Sequence, residues 1–162
     1  MTRQVLRVFS APLLALLFAA GLTTAPAADL PSFAGTWVLN TDKGENLGMV
    51  SAVKETVKIA QTPQQMTFDF STVFMGTHIR RNTYDLSGKA IPNEGPMGEK
   101  ADTVAKWVDG KLVVVWTGES AILGTKTEKT ETRALSADGK TMTVTSVRGT
   151  KPPMVMVYEK QK

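Results

Sequence analysis

The chain contains a single histidine, His78, and no cysteine, so the side chains that most often act as nucleophile, proton shuttle or zinc ligand are nearly absent. A zinc centre of the usual kind needs three or four His, Cys or carboxylate ligands, with His and Cys in the majority. A Ser-His-Asp triad would have to use His78. That histidine is closely followed by Arg80 and Arg81, and no G-x-S-x-G elbow is present. No glycine-rich loop opens a helix, so nothing supports a phosphate cradle. The carboxylates are scattered. The densest charges, Lys126, Glu128, Lys129, Glu131 and Arg133, alternate in sign along one stretch. Their plain reading is a solvated strand face with weak cross-strand pairs. These observations argue against an enzyme, a bound metal and any cofactor.

What remains is binding chemistry. Trp37, Phe68, Phe70, Met154, Met156 and Tyr158 are large apolar or amphipathic side chains at alternating positions. Arg133 shares the parity of Leu135 and is a candidate charged anchor inside an apolar interior. An enclosed guanidinium needs a partner, and Glu131, Tyr158 or an anionic ligand would each serve. The elements that must position these residues are strands. Met66, Phe68 and Phe70 alternate with Thr67, Asp69 and Ser71, the period of a half-buried strand. Gly35 to Leu39, Glu55 to Ala60, His78 to Tyr84, Glu99 to Val108, Lys111 to Thr117, Thr125 to Leu135, Thr141 to Val147 and Met154 to Tyr158 complete about nine. Asn40 to Gly48 reads as a loop, Met49 to Lys54 as either a short helix or irregular chain, and Ser87 to Gly98 as the longest loop. Asp109-Gly110 is a strong two-residue hairpin signal.

Strands in sequential hairpin order predict an all-β, antiparallel up-and-down barrel of about eight to ten strands, since closure removes the exposed edges of an open sheet. A two-sheet β-sandwich is the alternative. Ala101, Thr103 and Ala105 share one face and would leave space inside.

The first residues have the three parts of a secretory signal. Arg3 and Arg7 precede an apolar run from Leu13 to Leu22, and Ala25-Pro26-Ala27 forms an A-x-A site. The expected division is a cleaved signal peptide over 1–27 and one domain over 28–162, with a periplasmic or secreted location and no membrane span in the mature protein. Cleavage removes two of 19 basic residues and none of the 15 acidic ones, leaving a net charge of +2. So small an excess does not suggest nucleic acid as a partner.

Phe33-Ala34-Gly35-Thr36-Trp37-Val38-Leu39 resembles the opening of lipocalins and fatty-acid-binding proteins, the calycin group, where G-x-W places its tryptophan across the barrel's closed end. Val157-Tyr158-Glu159-Lys160 is similar to the last strand of fatty-acid-binding proteins, and Arg133-Ala134-Leu135 with Asp138-Gly139-Lys140 to the strand and turn before it. The resemblance implies a barrel that binds or carries a small hydrophobic or amphipathic molecule, with Arg133, Tyr158, Met156, Phe68, Phe70 and Trp37 as the ligand-binding set. Two departures stand out. The arginine of the family's R-x-Y is replaced by Met156, and no helical lid is evident between the first two strands. The rival reading is a non-enzymatic envelope protein with a filled barrel. It would act through its outer β surface, where Val155, Val157 and the run Leu112 to Val115 are candidates.

Overall fold

The computed structural model describes residues 30–96, 98–119 and 126–162; the expected signal peptide lies outside them, as does Thr125. Ten strands follow one another in antiparallel hairpins. They are β1 (Gly35–Glu45), β2 (Lys54–Gln61), β3 (Gln65–Val73), β4 (Thr77–Asp85), β5 (Ile91–Glu94), β6 (Lys100–Val108), β7 (Lys111–Glu119), β8 (Lys126–Leu135), β9 (Thr141–Val147) and β10 (Met154–Lys160). They form a single sheet in the order β4-β3-β2-β1-β10-β9-β8-β7-β6-β5, with the first and last strands paired. One sheet curling into a nearly closed barrel replaces the two-sheet alternative.

The alternation that marks each strand sorts its residues to two faces. Met66, Phe68 and Phe70 are buried, as are Val57 and Ile59 of β2, Leu112, Val114 and Trp116 of β7, and Met142 and Val144 of β9. Burying a side chain of this size contributes about 1.5–3 kcal/mol, so the inward row of each strand specifies its register. One end of the barrel is plugged. Trp37 donates its indole N–H to the Phe33 carbonyl at 2.8 Å, the Phe33 ring meets Trp107 at 5.8 Å, and Gln61 holds the Phe33 amide. Between β1 and β2 only a five-residue 3-10 turn, Gly48–Ala52, stands in place of a lid.

Closure of the barrel depends on two asparagines. No backbone ladder joins β4 to β5, and side chains bridge the seam in its stead. Asn93 of β5 accepts from the Thr83 amide at 2.9 Å and donates to the Thr83 carbonyl at 2.7 Å. Asn82 of β4 donates to the Glu94 carbonyl at 3.1 Å and accepts from its amide at 3.4 Å. Each carboxamide carries a donor and an acceptor side by side and thus imitates a peptide unit. Thr103 of β6 completes the seam, accepting from Asn93 and donating to the Ile91 carbonyl. Thr103 and Ala105 are buried and, contrary to the expectation from their size, do not line the barrel's cavity.

Candidate binding site within the barrel

Above the plugged floor lies a cavity of about 140 Å3. Its lining includes Val50, Val53, Pro96 and Met154, so it reaches toward the end of the barrel formed by the β1–β2, β5–β6 and β9–β10 connections. One side is aromatic. Phe70, Phe68, Tyr84 and Trp116 run in series with ring centroids 6.0, 5.1 and 6.2 Å apart, the last two contacts edge-to-face.

The rest of the lining combines apolar side chains, among them Leu39, Val57, Met142 and Val144, with charged ones. Arg133 is buried, and its Nη2 donates to Glu131 at 2.6 Å, while Lys129 holds the other Glu131 oxygen at 2.7 Å. Alternate residues of β8 therefore face inward together. The stretch read as a solvated face is in fact split, with Lys129, Glu131 and Arg133 directed to the cavity. Burial works against the Glu131 carboxylate, but Arg133 and Lys129 more than offset it and hold the group down at about 2. Burial likewise opposes the Arg133 charge, and Glu131 reverses the balance, so its pKa rises. The guanidinium lies 5.1 Å from the Phe68 ring centroid and 5.7 Å from that of Tyr84, within cation–π range.

A second cluster gathers on the opposite wall. Glu55 of β2 accepts from the Tyr158 hydroxyl at 2.7 Å and from Thr72 at 2.7 Å. Arg80 of β4 stands 3.5 Å from the same carboxylate, with its guanidinium 3.8 Å above the Phe70 centroid. Burial, with the Glu55 carboxylate next in weight, pushes the Tyr158 phenol well above its usual value. Burial alone accounts for most of the rise at Tyr84, to about 12. Both phenols are neutral at physiological pH.

Arg133, Tyr158, Met156, Phe68 and Phe70 all line this one cavity. Trp37 does not: its ring belongs to the floor, beneath the Lys160 ammonium. Of the partners open to Arg133, the structure supplies Glu131, whereas Tyr158 is taken by Glu55. Reading the sequence passed over Glu55, Arg80, Asn82 and Trp116. Parity would have found them, because Glu55 stands two residues from Val57, and Arg80 and Asn82 share the face of Tyr84.

Three cations and two carboxylates line the cavity, so its interior carries one positive charge in excess. Arg133 Nη1, Arg80 Nε and Trp116 Nε1 have no hydrogen-bond partner there. Unused donors around an excess of positive charge are the features that would suit an anionic group. Among the described residues no three His, Asp or Glu side chains gather to hold a metal, and no helix is long and apolar enough to cross a membrane.

The arrangement agrees with solved structures. The fluorescent protein UnaG superimposes with a TM-score of 0.66 at 21% identity, covering 80% of this chain and 97% of that one. A Schistosoma mansoni fatty acid binding protein in complex with arachidonic acid gives 0.63 at 18%, covering 82% and 98%. The human protein cRBP IV gives 0.61 at 12%, covering 81% and 99%. The fold is calycin-like. No family model and no curated sequence matches the chain, so the likeness is one of architecture. In this barrel a short 3-10 turn stands between β1 and β2, and ion pairs line the cavity.

Proposed function

We propose that the mature protein is an exported, non-enzymatic barrel that binds or carries a small amphipathic anion, its head group held by Arg133 and its body against the aromatic wall. The observation that carries this reading is the unpaired Nη1 of a buried arginine in a cavity with one excess positive charge. The similar solved structures support it to the extent that several are named as fatty-acid-binding proteins. Calorimetric titration of octanoate and 1-octanol against wild type and Arg133→Ala tests it. In the variant Glu131 keeps Lys129 as a partner, so the fold survives. The anion should lose about 1–3 kcal/mol of binding, the value of a charge-assisted hydrogen bond, and the alcohol should be nearly unaffected. Equal losses for both, or saturable binding of neither, would remove the reading.

A second reading has support of its own. The β3–β4 hairpin exposes Val73, Phe74, Met75 and Ile79, an apolar tip of the kind that marks protein contacts when contiguous. The surface expected earlier on β7 is weaker, since Leu112 and Val114 are wholly buried.

A further inference from the structure

The size and furnishing of the cavity narrow the ligand beyond an amphipathic anion. At about 140 Å3, the space is less than half the lower end of the ~300–1,000 Å3 common for drug-sized ligands. The shortage has identifiable causes. The Arg80 arm lies across Phe70 and the Arg133 arm across Phe68, occupying volume that an acyl chain would need. Both arms are tethered, Arg80 beside Glu55 and Arg133 to Glu131. Swinging Arg80 aside to lengthen the cavity would leave the buried Glu55 without its cation, and moving Arg133 would leave Glu131 with Lys129 alone, both costlier than moving an apolar side chain. The limit on size is therefore built from ion pairs and does not yield as a wall of methionines would.

The walls add shape to size. Four aromatic rings stand in series from β3 through β4 to β7, and since a cation covers one face of each, they meet another ring chiefly through their edges. Arg133 and Trp116, whose Nη1 and indole N–H have no hydrogen-bond partner, are both among the residues lining this space. A planar body with a carboxylate at one end satisfies donors and rings together, whereas a flexible chain would have to be fully ordered to do so.

We propose that the barrel takes a compact aromatic monocarboxylate, on the order of ten non-hydrogen atoms or about one for each water the cavity could hold, and excludes long-chain acyl anions. This rests on the anion reading above and specifies its ligand class.

Calorimetric titration of the purified protein with indole-3-carboxylate, indole-3-carboxamide, octanoate and palmitate decides it. The carboxylate should bind at one site, at least tenfold more tightly than palmitate or the carboxamide and several-fold more tightly than octanoate. Palmitate or octanoate equalling or surpassing it would overturn the compact aromatic class while leaving the anion site intact. Carboxamide matching carboxylate, or no saturable binding of any probe, would overturn the anion site and this proposal with it.

Discussion

Glu131 sits between Lys129 and Arg133 with one carboxylate oxygen on each, and its protonation is linked to folding. Its pKa in the fold is about 2 against an ordinary 4.5. A depressed carboxylate pKa means that its stabilisation is complete above about pH 4.5 and is lost as the pH falls toward 2. Glu131→Gln removes this acid-sensitive contribution and leaves two cations with no carboxylate between them. Urea unfolding at pH 7 should show a loss of about 3 kcal/mol, the lower range for breaking a buried pair, and a shallower decline between pH 4.5 and 2. Octanoate should bind the variant more tightly, because the interior excess rises by one charge. Stability and affinity moving in the same direction would count against the charge account. At this scale the sequence disclosed Arg133 and its candidate partner Glu131, because both share the parity of Leu135. Glu55 and Arg80 stayed hidden because a polar residue in a strand reads as solvent-facing unless its neighbours at i ± 2 are weighed with it.

The strands were legible wherever one ladder on each side imposed strict alternation, as in β3 and β9. Asp109-Gly110 was equally plain, since both residues adopt positive φ, 48° and 73°, as a type I′ hairpin turn demands. β5 was missed. Pro92, Asn93, Gly95 and Pro96 have the composition of a loop, and the strand exists because it pairs on one side only, where a proline is tolerated. β1 runs on to Glu45 rather than ending near Leu39, since β10 supplies a partner across an irregularity between Asn40 and Glu45. The seam was beyond reading for a related reason: its bonds are made by side chains that match no repeating pattern. Asn93→Leu should remove three hydrogen bonds at once and cost about 1–3 kcal/mol for the groups left unsatisfied. Hydrogen exchange at the Thr83 amide should accelerate sharply while the Val114 amide in β7 stays protected. Uniform acceleration across both would mean that the asparagine bridge does not act locally.

For the whole molecule, the meander of short connections was enough to anticipate a barrel, and closure follows from the exposed edges an open sheet would leave. Whether the barrel is hollow could not be read, because inward residues of the same types either fill a core or line a pocket. The reading of export concerns the whole chain as well. Protein isolated from its native exported pool should begin at Ala28, after Ala25-Pro26-Ala27, and intact mass with Met1 still attached would contradict it.

The claim on which the rest depends is that the cavity, not the outer surface, meets the anion. Of the three tryptophans in the sequence, Trp116 alone lines the cavity, Trp37 gives its N–H to Phe33, and Trp107 packs on the Phe33 ring. Proton–nitrogen correlation spectra of the indole groups during an octanoate titration separate these positions in one experiment. If the cavity meets the anion, the Trp116 Nε1–H signal shifts saturably and that of Trp37 stays unmoved. Saturation with Trp116 unmoved, and shifts confined to the β3–β4 hairpin around Met75 and Ile79, would contradict it.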